Sequence, residues 1–221
     1  MILLGSEWNW SGAENQYRIA LKLNPNCGDC HFQYGILLSG MGRNDEALAQ
    51  INQAIELNPL SGAYRNWLAA IAYFSRQSDL CIKLDENLTD EWAMGVGLCY
   101  AQKKMYPEAI AYAEKDIART GRQTDSLGYL ALMYGLAGRK SETQKIIREL
   151  KQRSRHHYVF PSVFAHAYLG LGDKNRALTY LEQAYEEQDP ALFYLKVGPL
   201  LEPLRSEPRF QALLRRVNLP Q

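Results

Sequence analysis

No apolar run in this sequence is long enough to cross a bilayer. The longest, such as residues 67–74, fall far short of the roughly 20 residues a spanning helix needs. No basic flank followed by a long apolar stretch stands at the start. Charge of one sign is also missing: 25 basic residues meet 24 acidic ones, so no overall field draws the chain to nucleic acid or to an anionic membrane. Cysteine is scarce, four in 221 residues, which is too few for a disulfide framework and suits a reducing compartment. A soluble, cytoplasmic protein is expected.

The signatures of common reaction centres are absent as well. There is no glycine-rich phosphate loop, no nucleophile elbow and no His-Glu-x-x-His, and Gly95-Val96-Gly97 lacks the third glycine and the preceding strand of a dinucleotide site. Acidic pairs such as Glu186-Glu187 read as solvated residues. Neither enzyme activity nor a small-molecule substrate is expected, and no cofactor is.

Against these absences stands an apolar fraction of 47%, enough for a continuous core and laid out at a constant stride. Asn24-Pro25 recurs thirty-four residues later as Asn58-Pro59, each after an amphipathic run ending in Ala20-Leu21-Lys22-Leu23 or Ala54-Ile55-Glu56-Leu57. A small residue followed three places on by Tyr occurs at the same period as Gly97/Tyr100, Ala131/Tyr134 and Ala165/Tyr168, with Gly35/Leu38 and Ala69/Ala72 in those columns earlier. A further small column runs through Ala13, Ala47, Ala109, Thr143 and Ala177. Antiparallel helices approach closely only where side chains are small, so these columns mark the crossing points of helix pairs. Tyr100, Tyr134 and Tyr168 from first helices, and Tyr17, Ile51 and Leu181 from second ones, then fill the space between repeats. Gly42, Gly138 and Gly172 stand seven residues after the first small column and suit a left-handed residue closing the turn. Pro25 and Pro59, lacking an amide proton, end the second helices.

With these residues in place, the chain resembles a tetratricopeptide repeat array from about residue 8 to residue 187. The resemblance implies an all-α, right-handed superhelical solenoid of antiparallel helix pairs, about five and a half repeats plus a C-terminal capping helix. The implied divisions are a partial repeat at 1–25, repeats at 26–59, 60–88 (shortened), 89–123, 124–157 and 158–190, and a capping segment at 191–221. Such arrays hold other proteins. A second resemblance covers the end: Leu201-Glu202-Pro203-Leu204-Arg205-Ser206-Glu207-Pro208-Arg209-Phe210, followed by Leu213-Leu214-Arg215-Arg216, is similar to the closing segment of repeat regions in bacterial multidomain regulators with winged-helix, kinase or cyclase domains. It implies a bacterial regulatory or signalling setting.

The stride breaks between Ala69 and Gly97, an interval of twenty-eight. The six missing residues amount to roughly nine ångströms of helix. The second helix of that repeat, around 79–84, is therefore stunted, as a tolerated deletion or as a binding notch. At the start, residues 11–23 read as a second helix with Ser11 as N-cap. Lacking a full partner, that helix would leave an apolar face to be covered by a second copy of the chain or by a preceding domain. At the other end, Ser206 caps a helix with Pro208 in its first turn and Phe210, Leu213, Leu214 and Val217 on one face, closing the last repeat.

Three constellations invite other readings. Cys27-Gly28-Asp29-Cys30-His31 has the spacing of a c-type haem attachment site, which would make the chain a haem- or metal-binding redox protein. The same residues also fit ordinary packing where a turn passes into a helix, and Cys81 and Cys99 read as buried thiols. His156-His157 and His166 lack convergent partners for zinc. The basic stretch 139–155, with Lys145, Arg148, Lys151 and Arg153, could touch nucleic acid, but Ile146, Ile147 and Leu150 make it an amphipathic helix with a charged wet face, and no binding to nucleic acid is expected.

The resemblance also implies a concave groove lined by first helices. Its columns supply Phe32, Ile36, Asn66, Tyr73, Phe74, Met94, Leu98, Gln102, Leu132 and His166. That lining is mostly apolar and lacks the Lys and Arg of arrays that clamp a C-terminal carboxylate, so it suits an amphipathic helix or an apolar extended peptide. Alternatively, the same side chains pack against neighbouring helices.

Overall fold

The computed structural model describes residues 9–85 and 93–218, the side chains of residues 93 and 94 excepted. Among the described residues there is no strand. These residues form twelve α-helices: α1 (Trp10–Leu23), α2 (Gly28–Gly40), α3 (Asn44–Leu57), α4 (Gly62–Phe74), α5 (Ser78–Lys83), α6 (Ala93–Gln102), α7 (Tyr106–Thr120), α8 (Thr124–Leu136), α9 (Lys140–Arg153), α10 (Pro161–Gly170), α11 (Lys174–Glu186) and α12 (Pro208–Arg216). Two 3-10 turns, Pro190–Tyr194 and Pro199–Leu204, separate the last two helices. The fold is a helical repeat built from antiparallel pairs.

The turns show how the sequence makes the pairs. In α2–α3, α4–α5, α6–α7, α8–α9 and α10–α11 the helices are joined by three residues, and the middle one is left-handed. Gly42, Gly138 and Gly172 take φ of 83°, 77° and 75°, and Arg76 and Lys104 take 61° and 63° at the equivalent places. The amide after each such residue reaches back to the helix, as Arg43 to the Leu38 carbonyl (2.9 Å), Gln77 to Ala72 (2.8 Å), Met105 to Tyr100 (2.9 Å), Arg139 to Tyr134 (2.8 Å) and Asp173 to Tyr168 (3.0 Å). The left-handed residue itself bonds one carbonyl later, which completes a Schellman closure at every reversal.

Sharp reversal brings the small columns together. A Cβ on Gly35 would stand 2.9 Å from Ile51 and 3.2 Å from the Ala47 carbonyl, and one on Gly97 would meet the Ala109 carbonyl at 3.2 Å. Where threonine replaces alanine, at Thr143, its hydroxyl donates to the Ala131 carbonyl across the pair at 3.0 Å, so the polar atom is buried but partnered. Between successive first helices, Gly135 of α8 and Gly170 of α10 meet backbone to backbone.

By its contacts the chain forms two compact units. One contains the described residues up to 85 with Phe193–Pro199 and 214–218, and the other contains residues 93–192 with Leu200–Leu213. In the first, α1 begins one residue before Ser11: Asn9 is its N-cap, its side chain accepting from the Gly12 amide at 2.9 Å and its carbonyl from the Ala13 amide at 3.0 Å, whereas Ser11 lies inside the helix. The inward face of α1 is not left open either. Trp10 donates its indole N–H to the Val217 carbonyl (3.1 Å) and meets Phe193 (centroids 5.2 Å apart), while Tyr17 stacks on Tyr34. In the second unit, Arg209 of α12 forms a two-pronged ion pair with Glu182 of α11 at 2.7 and 2.9 Å.

A left-handed non-glycine residue is strained by roughly 1–2 kcal/mol. Lys104→Gly is therefore expected to stabilise the chain by about 1 kcal/mol, and Gly135→Ala, which would drive a methyl into the Gly170 backbone, to destabilise it by about 2 kcal/mol in urea unfolding.

Candidate functional site

In the first unit an aromatic surface spans α2 and α4. Phe32 meets Tyr64 (4.7 Å) and the edge of Trp67 (6.3 Å), while Phe74 lies beside Tyr73 (5.1 Å). The chain's own Phe193–Pro199 is set against it. Tyr194 stacks flat on Phe74 at 4.8 Å with an 8° interplanar angle and approaches Trp67 at 6.2 Å. Phe193 occupies a seat that exists because residue 40 is glycine: a Cβ there would stand 2.5 Å from the ring. Tyr64 turns its hydroxyl to the Asp29 carboxylate (2.6 Å), and burial together with that carboxylate pushes its pKa up to about 12.

Of the groove residues read from the columns, Ile36, Asn66, Tyr73, Leu98 and Leu132 are buried within the chain, Tyr73 at 5% exposure and Leu132 at 0%. Phe32, Phe74, Gln102 and His166 are half-buried. The side chain of Met94 lies outside the described residues. Trp67 and Tyr194, which the columns do not name, are half-buried members of the same aromatic surface, and Tyr64 is buried against it. Trp67 could have been found as a bulky half-exposed side chain on a first helix, but Tyr194 lies beyond the periodic region and has no periodic signal.

In the second unit His166 of α10 lies in a cavity of about 220 Å³ with Asp125 and Tyr129 of α8, Phe160, Ser162, Asp189 and Pro190. Tyr129 stacks on the imidazole at 4.7 Å. Asp189 is buried, and its two carboxylate oxygens accept from the amides of Ser162 (3.0 Å) and Ala191 (2.9 Å), which ties the start of α10 to the residues just after α11. Burial lowers the His166 pKa to about 4, with Asp189 opposing weakly, so the ring is neutral at pH 7. Burial, then Asp125 and Asp189, push Tyr129 up to about 12. Burial and Asp189 also raise the Asp125 carboxyl. The arrangement can stack and can accept a hydrogen bond at the neutral imidazole.

The cysteines differ from the expectation of free thiols. Cys27 and Cys30 are joined by a disulfide, and no cysteine is free. The spacing that suggested haem attachment places both sulfurs against each other at the start of α2. His31 is engaged at both nitrogens, Nε2 against the Pro25 carbonyl (2.9 Å) and Nδ1 against the Gln50 side-chain oxygen (2.6 Å). Among the described residues no group of three or more His, Cys, Asp or Glu is arranged to hold a metal ion. None of their helices is long and apolar enough to cross a membrane. At α9, the N-cap residue Arg139 pairs with Glu142 and Arg153 with Glu149, which also receives Arg122, so part of the basic stretch is spent within the unit.

The class of the chain now follows. Residues 35–79 and 163–189 each match the sequence profile of the tetratricopeptide repeat, one stretch in each unit. The fold is similar to a tetratricopeptide repeat protein from Parabacteroides merdae (16% identity, TM-score 0.59, covering 95% of this chain and 86% of that one). It is also similar to TTC0263, a thermophilic protein of the same repeat from Thermus thermophilus (21% identity, TM-score 0.59, 86% and 100%). Cut9, in the APC/C hetero-tetramer Cut9-Hcn1, gives 18% identity, a TM-score of 0.56, and coverage of 94% and 46%. No curated protein matches the chain. It is a helical repeat protein with two stretches that match the tetratricopeptide repeat.

The folded pKa of His166 lies below the unfolded value near 6.5, so the unfolded chain binds the extra proton and stability falls as pH drops from about 6.5 to about 4. His166→Phe is expected to remove about 2 kcal/mol of that loss, measured by urea unfolding at pH 7 and pH 4.5.

Proposed function

We propose that this chain is a protein-interaction scaffold that receives an apolar, aromatic peptide segment on first-helix surfaces, and that it serves in a bacterial regulatory assembly. The observation that carries the reading is Tyr194 stacked on Phe74 beside Trp67: the surface already accommodates one short aromatic segment, that of the chain itself. A partner would present similar chemistry. In the first unit Phe32, Trp67 and Phe74 offer half-buried rings, with Ile36, Asn66 and Tyr73 supporting them from beneath. In the second, Gln102 and His166 are the half-buried members, with Leu98 and Leu132 beneath, and the sequence column adds Met94.

The interaction role is supported by the repeat itself and by the neighbour seen within a hetero-tetramer. The bacterial setting rests on the closing segment at residues 201–216 and on bacterial proteins among the similar folds.

Peptides selected by display on the folded chain are expected to be rich in aromatic residues. Trp67→Ala should weaken them about tenfold, as loss of an aromatic anchor does, and Tyr194→Ala should tighten them by removing the competing ring. Anisotropy titrations in which both variants bind like the parent, with helicity unchanged, would overturn the reading.

A further inference from the structure

The link between Cys27 and Cys30 has no evident structural task. A disulfide stabilises mainly by shortening the loops of the unfolded chain, and a sequence separation of 3 is among the least constraining closures available. The segment around it is held by other means. The Cys27 amide donates to the Asn24 carbonyl (3.2 Å) and the Asn26 amide to the Asn24 side chain (3.2 Å). Asp29 is held by the Tyr64 hydroxyl and His31 by the Pro25 carbonyl and Gln50. None of these hydrogen bonds runs through the sulfur–sulfur bond.

The two sulfurs are also unequal. Cys27 is the N-cap of α2, and its Sγ accepts the Cys30 amide at 3.2 Å, at the positive end of a thirteen-residue helix. A thiolate there is stabilised by that donor and by the helix dipole, whereas among the described residues no such donor is directed at Cys30, inside the first turn. Both residues are half-buried and neither is enclosed in the core.

We propose that Cys27 and Cys30 form a redox-active dithiol/disulfide that exchanges with an external dithiol. A thiolate of the dithiol attacks Cys30 Sγ, the intramolecular bond breaks, and Cys27 leaves as the thiolate held by the Cys30 amide. The second thiolate of the dithiol then attacks its own sulfur in the mixed disulfide and expels Cys30, which takes a proton. The external dithiol loses two electrons and becomes a disulfide, and the protein disulfide gains them. Of the dithiol's two protons, one ends on Cys30 and the other on Cys27 or in solvent. In reverse, the Cys30 thiolate opens an external disulfide to form the same mixed disulfide, and the Cys27 thiolate then attacks Cys30 Sγ and expels the external thiolate.

The test uses the full chain with dithiothreitol as the dithiol. Limiting dithiothreitol followed by iodoacetamide should label positions 27 and 30 with no loss of helicity by circular dichroism. In the single variants, Cys27 of Cys30→Ser should alkylate about tenfold faster at pH 7 than Cys30 of Cys27→Ser. Failure to label positions 27 and 30, or loss of helicity on reduction, would show a structural bond and overturn the proposal. Equal alkylation rates in two variants that retain the parent's helicity would overturn the assigned order of attack, and with it the exchange site proposed here.

Discussion

Every first helix ends on the same pair of backbone hydrogen bonds, and the rest of this protein depends on that reversal. The two bonds of each closure use carbonyls that would otherwise be orphaned at a helix end and fix the entry of the second helix within three residues. Once the direction is fixed, the two helices must cross near Gly35, Ala69, Gly97, Ala131 or Ala165, and only small residues fit opposite them. The bond from Thr143 to the Ala131 carbonyl illustrates the constraint: a side chain slightly larger than alanine is accepted because its polar atom finds a backbone acceptor on the facing helix.

This much was legible in the sequence because both the turn and the crossing are local and recur. Gly42, Gly138 and Gly172 announce a left-handed position by their lack of a side chain. Arg76 and Lys104 occupy the same position and announce nothing, since their composition argues for helix. The two closing hydrogen bonds outweigh the strain of the left-handed backbone there, a balance that residue type cannot reveal. The return of Phe193, Tyr194 and Val217 to the first unit was equally hidden. A contact such as Trp10 with the Val217 carbonyl, 207 residues apart, has no period to betray it. The cysteines follow the same rule: their number suggested thiols, while pairing depends on which sulfurs the fold brings together.

The candidate site was legible only in part, for a physical reason. A column assigns a residue to the groove by its place along the first helix, but the same face also receives the next first helix. Where the two approach as closely as Gly135 and Gly170, long side chains nearby, such as Leu132, are consumed by packing. Phe32, Trp67 and Phe74 stay half-exposed and remain as surface, whereas Ile36, Tyr73 and Leu98 are taken up by packing.

The cavity around His166 shows what that division does to chemistry. A half-buried imidazole beside a carboxylate would ordinarily be a candidate for proton transfer, since a carboxylate bonded to one ring nitrogen orients the other and stabilises the cation. Here both oxygens of Asp189 are already committed to the Ser162 and Ala191 amides, so the ring receives only a through-space field, too weak to offset its burial. The imidazole stays neutral and stacked on Tyr129, equipped to accept a hydrogen bond. Asp189 holds the start of α10 to the residues just after α11, and the cavity it borders offers a stacking ring and a hydrogen-bond acceptor.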